Sequence, residues 1–360
     1  MRATLALEDG TVFYGNGFGA QTEVIGKVVI NTAVVGYQEM MTDPANAGKI
    51  LVLTYPLIGN YGINPQFNQS GKCWIKGLII KEASRIHSSW QAKKSFTDFI
   101  KEESLPAAES FDTRTLTVHL RNTAEQLGIF SCSGAAQDEL LAKLKEFKNI
   151  QAKSTLAKLS VDKPVLLESN KTDKIKIAVL DLGVNKGMLK QLEALKAAIE
   201  LLPFDTAAED ILSRKPAGLI ISNGPEEDAG LDKVSANIAG VVGKIPILSV
   251  STGAQVLARA LGAEIKSLKL GHRGVNYPVV HPGILKADIT AQNHSLIIDE
   301  YSLAGIKHVK ITGYNLNDKT VEEFESKQLK FLAIQYLPSS PGLGEINPVF
   351  EKFYKLVKGA

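Results

Sequence analysis

The chain has 360 residues, of which 44% are hydrophobic and 22% are charged, and its formal net charge is +3. This balance is ordinary for a globular protein. The charge is too small to favour a nucleic-acid partner, and no apolar run approaches the roughly 18 residues of a membrane span. The two cysteines do not indicate a disulfide framework or a metal site, and the N-terminal residues lack a signal-peptide core. We therefore expect a cytoplasmic protein of two domains.

Short strands with turn signals dominate the first 150 residues. Asp9-Gly10 between two β-like runs predicts a hairpin over residues 5–15. The mixture of strands and helices predicts an α/β or α+β domain over residues 1–150. Further predicted strands are 27–30, 50–54 and 77–80, and the predicted helices are 95–103, 113–122 and 137–147.

A change in composition separates the two halves. Between residues 151 and 174 Ser, Lys and Asp increase and the hydrophobic periodicity fades, which indicates a linker. From residue 175 to 360, short apolar runs alternate with amphipathic segments, which predicts a doubly wound, mainly parallel sheet with its site at the carboxyl ends of the strands. The predicted strands are 175–182, 199–203, 218–222 and 245–250, and the predicted helices are 186–197, 207–213, 234–242 and 253–261.

Ser251 stands between an apolar strand and a helix, with the small residues Ser249 and Gly253 two positions away on either side. This arrangement is typical of a nucleophile elbow, in which a strained turn lifts a side chain above the sheet. The first amides of the helix would then face an oxyanion. A serine here also fits a helix N-cap, and a serine nucleophile would need an adjacent base.

The candidate bases in the second half are four histidines. His308 falls in a predicted strand and His281 opens a Pro-Gly turn, so we interpret both as structural or surface residues. The last predicted strand and its loop, residues 331–342, contain no histidine. No histidine therefore stands where a late catalytic base would be expected.

Several segments resemble a known family. Residues 246–255, P-I-L-S-V-S-T-G-A-Q, resemble the elbow of class I glutamine amidotransferases, and residues 219–225 resemble their oxyanion strand. Residues 271–279 and 289–294 are similar to motifs of the small chain of carbamoyl-phosphate synthetase in particular. Resemblance to the first domain of that small chain lies in residues 7–11, 31–39, 42–44, 53–62 and 112–117.

The resemblance implies a two-domain small chain that works together with a large subunit, each catalysing a different step. In that family a cysteine attacks the side-chain amide of glutamine, and a histidine–glutamate pair acts as base and orienter. The ammonia passes to a large ATP-dependent subunit, which makes carbamoyl phosphate for pyrimidine and arginine synthesis. ATP and metal are expected only in that large subunit, and no cofactor or metal is expected in this chain.

Compared with the motifs of the family, this sequence differs at the catalytic positions. Ser251 replaces the cysteine, and Leu337 and Ser339 stand at the positions of the histidine and the glutamate, so we predict all three to be non-catalytic. Glu226 replaces a glycine and adds bulk and negative charge, which makes glutamine binding doubtful. The positions that match the glutamine pocket are Ala45, Gly224, Glu226, Thr252, Gln255, Asn293, Ser295 and Leu296.

The sequence therefore predicts a small subunit that has lost glutamine hydrolysis and serves as a scaffold or regulatory partner of the large subunit. Loss of a nucleophile–base unit removes several powers of ten in rate. Two alternatives stay open. One is an active glutaminase with replacement residues, for which His294 would be a substitute base although its match in the family is not the catalytic histidine. The other is a hydrolase that depends on Ser251.

Overall fold

The computed structural model describes residues 1–148, 154–167, 175–195, 197–284, 286–339 and 345–359. The chain divides into two compact units. The first comprises Met1–Gln151 with Leu268–Arg273, and the second comprises Ala152–Ser267 with Gly274–Ala360. None of the described helices is long and apolar enough to cross a bilayer.

The first unit is built on a closed barrel with the strand order β1-β2-β8-β6-β4-β3-β9, and β5 pairs with β7 beside it. Its strands are β1 (Arg2–Leu7), β2 (Val12–Gly17), β3 (Glu23–Asn31), β4 (Lys49–Leu53), β5 (Leu57–Ile58), β6 (Gly77–Ile79), β7 (Glu82–Ala83), β8 (Ala107–Glu109) and β9 (Leu127–Ser131). Its helices are α1 (Tyr37–Thr42), α2 (Phe96–Glu102), α3 (Thr113–Thr123) and α4 (Gln137–Lys148).

The predicted hairpin is present as β1 and β2. Leu5 lies opposite Phe13 in the antiparallel register. Gly10 in the turn has φ +91, a value that glycine adopts without a steric penalty. The Asp9 carboxylate accepts a hydrogen bond from the Thr11 N–H at 2.9 Å, which closes the turn.

A buried ion pair lies within the first unit. The guanidinium of Arg273 donates to the carboxylate of Glu125, and both side chains are 1% exposed. Glu125 also accepts from the Gly271 N–H at 3.0 Å. A buried charge is tolerated only when it is paired and hydrogen-bonded, so each partner is needed to offset the desolvation of the other.

The second unit is built on a ten-stranded sheet with the order β10-β12-β11-β13-β14-β19-β18-β17-β15-β16. Residues Leu268–Arg273 of β15 are counted with the first unit. The strands are β10 (Val165–Leu167), β11 (Lys176–Asp181), β12 (Ala198–Pro203), β13 (Gly218–Ile221), β14 (Ile247–Val250), β15 (Ile265–Val280), β16 (Ala287–Ile298), β17 (Lys310–Asn315), β18 (Val321–Ser326) and β19 (Phe331–Ile334). The helices are α5 (Leu156–Leu159), α6 (Lys186–Ala194), α7 (Ala208–Ser213), α8 (Leu231–Ala239), α9 (Thr252–Ala260), α10 (Glu300–Ala304) and α11 (Pro348–Lys358).

The centre of this sheet is parallel and is covered on both faces. β12, β11, β13, β14 and β19 run parallel to one another. Along β11, Ala178 and Leu180 join one core with α8 and α9, while Ile177 and Val179 join another with α6 and α11. Burial on both faces explains why the strands read as continuous apolar runs. The predicted α/β class with a doubly wound sheet is confirmed; the five central strands are parallel, and β10, β18 and β17 pair antiparallel with their neighbours.

Two local predictions differ from the structure. The described part of the predicted linker contains α5 and β10, and Val165 pairs antiparallel with Leu201 of β12. A three-residue edge strand has too little periodicity to be recognised in sequence. The strand predicted over residues 308–311 is present but begins two residues later, at Lys310, because His308 has φ +68 and lies in a turn. The other linker residues, 151–153 and 168–174, and the predicted helical residue 196 lie outside the described residues.

Candidate functional site

The main chain at Ser251 has a strained conformation. Ser251 follows β14 directly and has φ 53 and ψ −115, which is uncommon for a residue with a side chain. Its N–H donates to the Ile334 carbonyl of β19 at 2.8 Å. Strain of this kind costs on the order of 1–3 kcal/mol and persists only where the surroundings enforce it. The turn has the shape that a nucleophile elbow requires.

The side chain of Ser251 is buried at the start of α9. The residue is 2% exposed and holds the N-cap position of α9, yet its side chain makes no capping bond. Within the described part of the chain, no hydrogen bond joins this hydroxyl to a base. A serine hydroxyl is a weak nucleophile unless a base removes its proton. Among the described residues, the elbow therefore holds Ser251 without a hydrogen-bonded base.

Two glycines bring the surrounding backbones together at the elbow. A Cβ on Gly253 would lie 2.3 Å from the Ile221 carbonyl oxygen, and one on Gly224 would lie 2.2 Å from that of Leu182. Thr252 Oγ1 donates to the Gly224 carbonyl at 2.5 Å. Glycine is required where main chains approach this closely. The loop after β13 is thus held against the start of α9.

Leu337 and Ser339 follow β19, the parallel neighbour of β14. The Leu337 N–H donates to the Ala291 carbonyl at 2.8 Å, and the Leu337 side chain is half-buried. Ser339 is exposed and lines a cavity of about 560 Å³ whose lining does not include Ser251. Neither side chain can act as a general base, because an alkyl group cannot titrate and a hydroxyl stays protonated near neutral pH.

The proposed substitute base, His294, is engaged elsewhere. Its ring is 1% exposed, with Nδ1 3.0 Å from the Leu296 carbonyl oxygen and Nε2 3.6 Å from Glu322 Oε1. His281 lies against the Thr312 carbonyl and the Asp288 carboxylate, each at 3.1 Å. In both cases the two ring nitrogens contact other groups, which argues against a role beside Ser251.

Glu226 has a role that the sequence did not reveal. Its side chain is 3% exposed, and its carboxylate accepts hydrogen bonds from the Ser295 N–H, the Ser295 hydroxyl and the Leu296 N–H. The only signal in the sequence was that the positions of Glu226, Ser295 and Leu296 had all changed from the family pattern. The structure brings these three altered positions into direct contact.

The remaining pocket positions are distributed as follows. Gln255 on α9 donates through Nε2 to the Leu296 carbonyl at 3.2 Å. Asn293 lies half-buried on β16. Ala45 belongs to the first unit, where it is buried in the 3₁₀ turn Pro44–Asn46 and donates its N–H to Asp43 Oδ1 at 2.9 Å.

Comparison with known proteins agrees with this architecture. Residues 5–130 match the family described as carbamoyl-phosphate synthase small chain, CPSase domain, and residues 178–356 match glutamine amidotransferase class-I. A glutamine amidotransferase structure from Thermotoga maritima has a TM-score of 0.35 and 14% identity, and covers 51% of this chain and 82% of that one. By the two family matches, a class I glutamine amidotransferase domain follows a small-chain domain in this chain.

Full-length relatives specify the family. The carbamoyl phosphate synthase small chain of Syntrophotalea carbinolica is 35% identical over 99% of this chain and 98% of its own length. That of Listeria monocytogenes is 35% identical, and the pyrimidine-specific small chain of Bacillus subtilis is 34% identical; each alignment covers 99% of this chain and 96% of the relative. The chain belongs to the carbamoyl phosphate synthase small chain family.

Proposed function

We propose that this chain is a carbamoyl phosphate synthase small subunit that does not hydrolyse glutamine. The observation that carries the proposal is the elbow at Ser251, whose hydroxyl makes no hydrogen bond to a base within the described residues. Leu337 and Ser339 supply neither an imidazole nor a carboxylate at the matching positions.

The size of the expected defect follows from the chemistry. A nucleophile and its base act together, and removing both lowers kcat by roughly 10⁶ in a hydrolase. An unassisted serine hydroxyl is also a poorer nucleophile than a thiol, which is partly ionised near neutral pH. The rate of glutamine hydrolysis by this chain is therefore expected to lie about 10⁶-fold below that of an intact glutaminase.

The proposed role of the chain is that of a scaffold or regulatory partner of the ATP-dependent large subunit, with free ammonia as the nitrogen source. Support comes from the match over both units, since the relatives are named as small chains and align over at least 96% of their own length. The barrel of the first unit keeps a packed core that includes Leu5, Val28, Ile50 and Phe130. We propose synthesis of carbamoyl phosphate, for pyrimidine or arginine formation, as the process served.

The test is co-expression of the tagged chain with the large subunit of the same organism. We expect a complex in size-exclusion chromatography that forms carbamoyl phosphate from ammonium but not from glutamine. Failure of the two chains to associate would overturn the partner role. Ammonia release from glutamine by the wild type would overturn the loss of hydrolysis.

Ser251→Ala is the matched control for the chemistry. We expect it to be indistinguishable from the wild type with either nitrogen source. Activity that is present in the wild type and lost in Ser251→Ala would identify an active glutaminase. Labelling of Ser251 by a fluorophosphonate probe, absent in Ser251→Ala, would favour the serine hydrolase instead.

A further inference from the structure

The carboxylate of Glu226 is held by a set of donors that surrounds both of its oxygens. Oε1 accepts from the Ser295 N–H at 2.8 Å and from the Ser295 hydroxyl at 2.6 Å. Oε2 accepts from the Ser295 N–H at 2.7 Å and from the Leu296 N–H at 2.9 Å. An ionised carboxylate only accepts hydrogen bonds, so these donors match its chemistry.

The donors belong to the scaffold and not to Glu226. The N–H groups are successive main-chain donors on β16, 69 and 70 residues away from Glu226 in sequence. Successive main-chain N–H groups that converge on one point form an anion-binding concavity, and proteins use such groups to capture free carboxylates. Any small carboxylate of the same geometry would satisfy the donors of Ser295 and Leu296.

The same strand connects this group of donors to the elbow helix. Gln255 of α9 donates through Nε2 to the Leu296 carbonyl, so its amide lies next to the Leu296 main chain. Gln255 Oε1 is buried and has no hydrogen-bond partner among the described residues, and the side chain is 2% exposed. A buried acceptor without a donor is uncommon and is satisfied when a ligand brings an N–H group.

We propose that Ser295 and Leu296 form a carboxylate-binding subsite and that Glu226 is its internal ligand. The chain then occupies its own pocket, and a small carboxylate, including that of an amino acid, cannot enter while Glu226 is in place. The chain would then have lost carboxylate binding in the pocket in addition to glutamine hydrolysis. This proposal rests on the proposed function, because it concerns the same pocket.

The experiment removes the internal ligand and supplies a free one. The thermal midpoint of the purified full-length Glu226→Gly variant is measured in sodium acetate and in sodium chloride at equal ionic strength and pH 7.5. We expect acetate to raise the midpoint of the variant by several degrees in a saturable manner, because a ligand that binds only the folded state stabilises it by mass action. The wild type should show no difference between the two salts.

Glu227→Ala is the matched control, because it removes the same charge from the exposed neighbouring position. It should respond to acetate as the wild type does. An equal response of Glu226→Gly and Glu227→Ala to acetate would overturn the proposal. Large-subunit binding and ammonia release do not enter this measurement, so its failure is distinguishable from failure of the proposed function.

A second variant covers the case in which Glu226→Gly does not fold. Glu226→Gln keeps the shape of the side chain but turns an N–H₂ group towards the donors of Ser295 and Leu296. We expect hydrogen exchange at these two amides to become at least tenfold faster than in the wild type, measured by mass spectrometry. Unchanged exchange would show that the carboxylate does not hold them, and the proposal would be wrong.

Discussion

Replacing Gly253 with alanine tests whether the elbow depends on close approach of two main chains. The new Cβ would lie 2.3 Å from the Ile221 carbonyl oxygen, 2.8 Å from the Ile221 carbonyl carbon and 3.0 Å from the Ser222 carbonyl oxygen. All three atoms are main-chain atoms of β13 or of the residue that follows it, so no side chain can move aside. The start of α9 must separate from the sheet to admit the methyl group.

The expected loss is large for a single methyl group. Overpacking in a well-packed core costs about 1–3 kcal/mol. Because the obstructing atoms belong to the main chain of a central strand, we expect the upper end of this range, about 3 kcal/mol. For a unit of this size each kcal/mol shifts the midpoint by about 2–4 °C, so the transition of the second unit should fall by about 6–12 °C.

Differential scanning calorimetry of the full chain is the appropriate assay. Tryptophan fluorescence does not report on the second unit, because Trp74 and Trp90 both belong to the first. Gly305→Ala is the control, since Gly305 has φ −72 and its added Cβ would be 3.5 Å from the nearest atom. We expect that control to stay within about 0.5 kcal/mol of the wild type. A loss of less than about 1 kcal/mol for Gly253→Ala would refute the reasoning.

Two further predictions concern charges in the first unit. Arg273→Met leaves the Glu125 carboxylate buried without its hydrogen-bonded cation and should cost about 3–5 kcal/mol in urea unfolding followed by tryptophan fluorescence. The ammonium of Lys27 is 3.8 Å from Glu125 and partly exposed, so Lys27→Met should cost less than about 1 kcal/mol. Equal losses in the two variants would contradict the argument. Burial by itself raises the pKa of Asp9. Hydrogen bonds to the carboxylate, of which the one from Gln126 has the largest effect, more than offset burial and lower this pKa from 3.8 to about 2. A carboxylate whose pKa is lower in the folded state than in the unfolded state stabilises the fold at pH values above its unfolded-state pKa. This stabilisation is lost as the pH falls towards the folded-state pKa. The advantage of the wild type over Asp9→Asn should therefore be constant from pH 7 to 5 and disappear between about pH 4 and 2, and an advantage that persists at pH 2 in acid unfolding would contradict it.

Much of the second unit could be predicted from local patterns. Apolar runs of four to eight residues located β11, β12, β13 and β14, because strands buried on both faces need apolar residues throughout. The small residues around Ser251 predicted a sharp turn there, and the structure has φ 53 at that residue. The edge strand β10 was missed because three residues carry too little periodicity to distinguish a strand from a loop.

Local patterns in the sequence were enough to predict the two-part α/β organisation and the position of the elbow, since each depends on residues that are close together in the chain. The assignment of Leu337 and Ser339 to the positions of the histidine and the glutamate came from the family resemblance. The contacts of Glu226 with Ser295 and Leu296, which are 69 and 70 residues away, could be seen only in the folded chain, as could the groups that face both ring nitrogens of His294. Hydrophobic periodicity encodes which face of an element is buried. It carries no information about which polar groups from distant elements come within hydrogen-bonding distance, because that depends on the order of strands in the sheet and on the paths of the loops between them.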